Sequence, residues 1–269
     1  MSGVIQGNLR DWSLGHELTR YRIDCDRFVL WGRCCYARML VQKGSRVVIN
    51  FSRSVDAAQK VAEECESLGG EVMLCQADVS LDADCRRMVD VAMTKWGRLD
   101  VLVNNAGTTK FVQHPDLDGL TSEDFQHIYG VNVVGPFQMV RAASDALKAS
   151  GNAAIVNVAS IAGVKGVGSS IAYAASKGAL ITMGKSLARV MGPEVRVNTV
   201  CPGFITGDWL AEGMGKETYE ASKAFLESKT PLQATCTPET VAESIMHFVE
   251  GHSVVTGQHI VLDAGHLLL

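Results

Sequence analysis

The sequence predicts a single α/β domain built on a doubly wound parallel sheet, and three observations carry that expectation. From Arg46 onward, short β-branched runs alternate with longer helical stretches. The short runs are apolar on both faces, so a sheet made of them needs helices covering each side. The chain has 269 residues and no internal repeat or linker-like tract, which suits one large α/β domain. In such sheets ligands bind beyond the carboxyl ends of the strands.

Each element follows in order. Val47, Val48 and Ile49 read as a buried strand. Residues 55–68 read as a helix with Ala58, Val61, Ala62 and Cys65 on one face, ended by Gly69 and Gly70. A strand is expected over 72–76, a helix over 83–96, and a strand over 99–103 that runs into Asn104-Asn105-Ala106-Gly107. A long helical region over 121–150 comes next, then a strand over 154–158, a helix over 172–191, and strands over 196–200 and 259–262.

Composition narrows the function. Apolar residues make up 47% and charged residues 20%, an ordinary globular balance. A net charge of −4 leaves no electrostatic footprint for nucleic acid or an anionic membrane, so neither is expected as a partner. The longest apolar stretches are strand-sized, and charges including Arg10, Asp11, Glu17 and Arg20 stand where a leader would be apolar. The eight cysteines form no CxxC pair, so reduced thiols and a cytoplasmic location are expected. The seven histidines show no HxH or HxxxH spacing, and no metal site is expected.

The chemistry concentrates at Tyr173-Ala-Ala-Ser-Lys177, where Tyr and Lys lie one helical turn apart on the same face. An ammonium beside a phenol stabilises its phenolate and lowers its pKa. Taken alone, a Tyr and Lys four apart more often mark a solvated face. Ser160, however, stands thirteen residues earlier, just past a strand at the ligand-binding edge of the sheet. With Asn104-Asn-Ala-Gly107 after a strand, Asn132 in a helix, and Pro202-Gly203 after a later strand, the order and spacing resemble the short-chain dehydrogenase/reductase family from about Gly44 to the C-terminus. The resemblance implies a Rossmann-like sheet, with Tyr173 as proton donor to a carbonyl and Ser160 hydrogen-bonding the reacting oxygen. It further implies that Lys177 holds the nicotinamide ribose and lowers the Tyr173 pKa, that Asn132 supports a water relay, and that the hydride comes from the cofactor.

The same resemblance places the cofactor. Asn50 stands where an NAD-specific member would carry a carboxylate for the ribose diol, so nothing there repels a 2′-phosphate. Ser52, Arg53 and Ser54 supply a guanidinium fork and hydroxyls to such a phosphate, which favours NADP(H) with NAD(H) as the weaker choice. The other reading of Arg53 is an exposed loop residue. Asp78 and Val79 match the adenine contact, and Asn105, Ala106 and Gly107 match the turn under the cofactor; Pro202, Gly203, Tyr173 and Lys177 complete the set. Residues 207–229 match the substrate-covering region, where Trp209, Leu210, Met214 and Phe225 are either an apolar lid or packing residues.

The resemblance breaks at the N-terminus. The family's first strand leads into a Thr-Gly-x-x-x-Gly-x-Gly turn whose glycines let backbone approach the pyrophosphate. An ungapped alignment puts Asp26-Arg27, Trp31 and Arg33 at those positions, after a first strand reading Arg22-Ile-Asp-Cys-Asp26, whose charges oppose burial. A slip that brings Phe28 to Trp31 into the sheet is the expected local rescue. Read one nucleotide later, the only Trp codon followed by a Gly codon becomes GGG, glycine. The shifted frame can spell Ala-Leu-Ile-Val-Thr-Gly-Ser-Ser-Ser-Gly-Ala-Gly in register, and His16 can become Met. The expectation is therefore that residues 1–36 are an irregular, frameshifted segment and 37–269 the family domain; the alternative is a divergent N-terminus.

The function expected is NADP(H)-dependent interconversion of a small-molecule carbonyl and a secondary alcohol, similar to 3-oxoacyl-acyl-carrier-protein reductases. The acidic net charge argues against a strong carrier-protein docking patch. The competing expectation is a catalytically silent member acting as a binding or oligomer partner. A homodimer or homotetramer is expected through 121–150 and 172–191, where Ala172, Ala174, Ala175, Gly178 and Ala179 allow close packing.

Overall fold

A computed structural model describes residues 20–24, 35–251 and 253–269. The elements run β1 (Arg20–Asp24), α1 (Cys35–Gln42), β2 (Arg46–Phe51), α2 (Val55–Ser67), β3 (Glu71–Gln76), α3 (Asp82–Trp96) and β4 (Val101–Asn104). They continue with α4 (Ser122–Tyr129), a π-helical turn (Gly130–Val134), α5 (Gly135–Ser150), β5 (Ala153–Val158), α6 (Ala162–Lys165), α7 (Ile171–Met191) and β6 (Val195–Pro202). After β6 come α8 (Asp208–Met214), α9 (Lys216–Lys229), α10 (Pro238–Glu250) and β7 (His259–Leu262). The strands form one parallel sheet in the order β3-β2-β1-β4-β5-β6-β7. The order reverses between β1 and β4, so the crevice beyond the carboxyl ends at that point is where a ligand is received.

Both faces of the sheet are covered. Leu40 and Val41 of α1, Val61 of α2, and Ile245 and Phe248 of α10 pack on one side. Met88 of α3, Met139 and Leu147 of α5, and Leu187 of α7 pack on the other. Burying one such Leu, Ile or Met contributes about 1.5–3 kcal/mol, and strands β4 and β5 are buried along their whole length because they receive helices from both sides. Helix starts are chemically marked. Thr121 and Asp124 form a reciprocal cap on α4, as Thr237 and Thr240 do on α10 with Pro238 in the first turn.

Two features bear on the site. The helical region expected over 121–150 is continuous from Ser122 to Ser150, and inside it Gly130–Val134 forms a π-helical turn between α4 and α5. Gly135 brings α5 against the loop after β3: a Cβ there would lie 2.8 Å from Val79 Cγ2. The slot between β2 and β4 is filled by Arg20–Asp24, not by Phe28 to Trp31 and not by 22–26. An empty slot would leave two rows of backbone N–H and C=O groups on buried strands unpaired, and any sequence's backbone can supply their partners. The rest of the expected irregular segment, including the positions of the missing glycine turn, lies outside the described residues.

Among the described residues no helix is long and apolar enough to cross a membrane. Cys35, Cys65, Cys75, Cys85, Cys201 and Cys236 are buried and joined in no disulfide. The small residues of α7 are largely spent inside the chain: Ala172 and Ala174 are buried, and Gly178 faces the backbone of Gly163 on α6.

Candidate active site

The site grows from the carboxyl ends of β4, β5 and β6. Ser170 caps α7, its hydroxyl accepting the Tyr173 N–H at 3.2 Å, which fixes Tyr173 in the first turn and Lys177 one turn on. Helix α6 lies directly on α7, since a Cβ on Gly163 would overlap the backbone of Lys177 and Gly178. That close approach brings Ser160, just past the end of β5, beside Tyr173, close enough that its side chain acts to lower the phenol's pKa; the Ser160 hydroxyl donates to Pro202 O at 3.5 Å. The Ser160 hydroxyl oxygen also accepts the Ala162 N–H at 3.1 Å.

Lys177 is 1% exposed. Its ammonium donates to Val158 O at 2.9 Å and lies 5.6 Å from the centroid of the Tyr173 ring. Burial pushes the Lys177 pKa down to about 8. Burial also pushes the Tyr173 phenol up to about 12, against the Ser160 side chain, which lowers it. The Lys177 ammonium faces the Tyr173 ring, and desolvation of the phenolate is the largest influence on the phenol. At neutral pH the phenol holds its proton and the lysine its charge.

Asn132, in the π-helical turn, is fully buried. Its Oδ1 accepts Thr108 N at 2.7 Å, and its Nδ2 donates to Thr108 O and to Ser176 Oγ, each at 2.9 Å. Both amide protons are thus engaged within the chain, and the residue ties the turn after β4 to α7. Beneath it, Asn104 Nδ2 donates to Asn157 Oδ1 at 2.9 Å. Above it, Val112 N donates to Ser169 O at 2.9 Å, joining the loop after β4 to the approach to α7.

The residues expected at the cofactor are spread along the same edge. Ala106 and Gly107 are buried and Asn105 half-buried at the end of β4. Asp78 Oδ1 accepts the backbone N–H and the hydroxyl of Ser80, at 2.9 and 2.7 Å, and Val79 is buried. Arg53 is exposed at the end of β2, between half-buried Ser52 and Ser54. Asn50 corrects its expected placement. It is fully buried, with Nδ2 donating to Cys75 O and Ala77 O at 3.1 and 2.9 Å, so it faces β3 and the first side chains open to a ribose or its phosphate are Ser52 to Ser54. Pro202 and Gly203 end β6. Gly203 is required by its neighbour, since a Cβ would lie 2.8 Å from Asp263 Cβ.

This donor set fits a nicotinamide ribose: Lys177 is a buried cation with one hydrogen bond shown and three protons to give, over the Tyr173 ring. The positions expected to hold the pyrophosphate, 26–33, lie outside the described residues.

In front of Tyr173 and Ser160 opens a cavity of about 910 Å³. Trp209, Leu210, Met214 and Phe225 all line it. Sequence reasoning missed Phe111, His114, Phe204 and His266, which also line it. Phe111 and His114 come from the loop after β4, and His266 from the C-terminal turn that Asp263 holds through Gly265 N and Leu267 N, each at 2.8 Å. The available signal was position alone, because loops after strand carboxyl ends face the crevice.

Comparison with known proteins agrees with this geometry. The family model described as enoyl-(acyl carrier protein) reductase matches residues 34–266. A Streptomyces violaceoruber protein named as ketoacyl reductase 2 of the granaticin polyketide synthase is 42% identical over 233 residues, covering 86% of this chain and 90% of that protein. A 3-oxoacyl-[acyl-carrier-protein] reductase of Synechocystis is 31% identical, covering 86% and 91%. A crystal structure described as a short-chain dehydrogenase/reductase from Burkholderia xenovorans superposes with a TM-score of 0.85 at 35% identity, over 93% of this chain and 98% of that one. A sheet in this order, a Ser-Tyr-Lys cluster at its carboxyl edge and these relatives together make the chain a member of the short-chain dehydrogenase/reductase family, an NAD(P)-dependent oxidoreductase on a Rossmann-like fold.

Proposed function

We propose that the protein reduces a carbonyl to a secondary alcohol with NADPH, Tyr173 giving the proton. One observation carries this reading: Tyr173 is a protonated phenol lining the cavity, with Ser160 beside it and the buried Lys177 ammonium 5.6 Å from its ring centroid. When bound, the cofactor supplies the hydride. As the carbonyl oxygen gains charge, Ser160 donates a hydrogen bond to it and Tyr173 passes it a proton. The tyrosinate left behind is stabilised by the Lys177 charge, which also holds the nicotinamide ribose through its free donors. Asn132 is a positioning residue, keeping the turn after β4 and the first turns of α7 in register. Ser52, Arg53 and Ser54 take the 2′-phosphate, Asp78 and Val79 the adenine, and Asn105, Ala106, Gly107, Pro202 and Gly203 the body of the cofactor. The polyketide ketoacyl reductase and the 3-oxoacyl reductase among the relatives support a 3-oxoacyl or related ketone as substrate.

The domain boundary belongs to this proposal. The family match begins at residue 34, which supports reading 1–36 as a segment outside the family pattern. A second reading, a silent member that binds a partner, is favoured by the absent glycine turn, and cofactor titration separates it from the first. A homo-oligomer formed through α5 and α7 is the assembly we expect. The test is a screen of ketones and alcohols with both nicotinamides: NADPH-dependent ketone reduction supports the reading, and no turnover at cofactor concentrations shown to saturate the protein overturns it.

A further inference from the structure

We propose that Ser176 is a positioning residue for the proton transfer: its hydroxyl carries the orientation of Asn132 onto the carbonyl of Tyr173 and so fixes where the phenol stands. The proposal rests on the carbonyl-reduction reading and deepens it.

The hydrogen bonds that reach Ser176 run in one direction. Thr108 presents both its N–H and its C=O to Asn132, which orients the amide without ambiguity. Oδ1 accepts Thr108 N at 2.7 Å, and Nδ2 donates to Thr108 O at 2.9 Å; a flipped amide would set donor against donor and acceptor against acceptor. The second Nδ2 proton goes to Ser176 Oγ at 2.9 Å. A hydroxyl that accepts in this way keeps one proton to give, and Ser176 gives it to Tyr173 O at 2.7 Å. The loop after β4, the π-helical turn and α7 are thus joined by one polarised chain of bonds that ends on the backbone of Tyr173.

Burial makes that chain expensive to break. Asn132 and Ser176 are both 0% exposed, so removing the hydroxyl would strand an Asn132 proton where solvent does not reach. The residue type points the same way. Ser176 follows Ala172, Ala174 and Ala175 on α7, and alanine is the better helix former at a place where the side chain only has to fill space.

The end point of the chain gives it a catalytic consequence. Both polar groups of the Tyr173 backbone are held by serine hydroxyls: the N–H by Ser170 Oγ at 3.2 Å, the C=O by Ser176 Oγ at 2.7 Å. With the backbone held on both sides, only the side-chain torsions of Tyr173 remain to place the phenol. A general acid must stand within hydrogen-bond reach of the oxygen it protonates, and a displacement of about 1 Å is enough to cost on the order of a hundredfold in rate.

The test compares Ser176→Ala in two backgrounds of the full-length chain, at NADPH concentrations that saturate it. Ser176→Ala should slow single-turnover reduction of a ketone by about 10- to 100-fold, with NADPH affinity by calorimetry nearly kept. In a Tyr173→Phe background the same substitution should slow the reaction no further, because Ser176 acts through Tyr173. A serine that only supported the helix would slow both chains alike. A spectroscopic comparison needs no turnover. With isotope-labelled tyrosine read by NMR, the Tyr173 signal is the one that Tyr173→Phe removes. Asn132→Ala should shift that signal in the parent chain and leave it in place in Ser176→Ala, since the hydroxyl is the link. Ser176→Cys, similar in shape but a weak donor and acceptor, carries the same comparisons should Ser176→Ala not fold. A Ser176→Ala chain with native circular dichroism that works at the parent rate, equal slowing in both backgrounds, or an Asn132→Ala shift equally large in both chains overturns the proposal. If the parent reduces no ketone under saturating cofactor, the reductase reading falls, and the NMR comparison alone decides whether Ser176 orients Tyr173.

Discussion

The two rims of the sheet's carboxyl edge are built differently. At the β2 and β3 end the groups expected to meet the cofactor are exposed or half-buried: Arg53 stands in solvent, and Asp78 organises its own turn. At the β5 and β6 end, Lys177 is buried, Ser160 stands beside Tyr173, and Asn132 is held by three hydrogen bonds. The difference teaches that, on the proposed reading, affinity at the first rim rests on charge that solvent screens, whereas chemistry at the second rests on desolvated groups whose protonation the fold sets. Substitutions at the first rim should therefore change which cofactor binds, and substitutions at the second should change the rate.

The largest effect is expected at the buried rim. Tyr173→Phe should cut kcat by about 10² to 10⁴ with cofactor affinity nearly intact, because it removes one hydroxyl that acts in proton transfer. Single-turnover rates checked against calorimetric affinity decide this, and a variant within tenfold of the parent breaks the comparison. Next comes the missing turn. Replacing 22–33 by the shifted-frame sequence should tighten NADPH binding by roughly 10² to 10⁴, the value of two charge-assisted bonds from the backbone of the restored glycine turn. Equal affinity in the two chains would mean that the N-terminus is a working, divergent phosphate site.

Smaller effects sharpen the contrast. Arg53→Ala should weaken NADPH by roughly 10- to 150-fold and NADH hardly at all, because only the former offers the guanidinium a phosphate. Equal loss for both would make Arg53 a plain loop residue. Gly163→Ala should cost about 1–3 kcal/mol in denaturant unfolding, since its Cβ meets the α7 backbone, and should lower kcat by shifting Ser160 from Tyr173. The smallest effect is with pH. Lys177 is charged below about 8 and neutral above, so cofactor affinity should weaken as pH rises through that value, and Lys177→Met should flatten the profile while lowering both affinity and rate.

The sequence exposed the proposed catalytic rim because its residue types stand at fixed helical and strand-end positions: Ser160 after β5, and Tyr173 and Lys177 one turn apart on α7. The substrate wall was half legible. Trp209, Leu210, Met214 and Phe225 stood out as an apolar cluster, but Phe111, His114 and His266 sit in aperiodic segments and reach the cavity only through contacts distant in sequence. Helix α10 had a readable signal, a Thr-Pro start followed by Val241, Ile245 and Phe248, and lay between two better-marked regions. Strand β1 was hidden for another reason. Its side chains argue against a central strand, yet the backbone groups of β2 and β4 need a partner, and register is set by that ladder.

The central claim is that a ketone at Tyr173 is reduced to an alcohol. Mass spectrometry of the product formed from a ketone and NADPH carrying deuterium at C4 tests it most directly. The account predicts one deuterium at the carbinol carbon with the parent chain at cofactor concentrations that saturate it, and at least a hundredfold less alcohol in the same time with Tyr173→Phe. Unlabelled alcohol, or labelled alcohol formed equally fast by Tyr173→Phe, would contradict it.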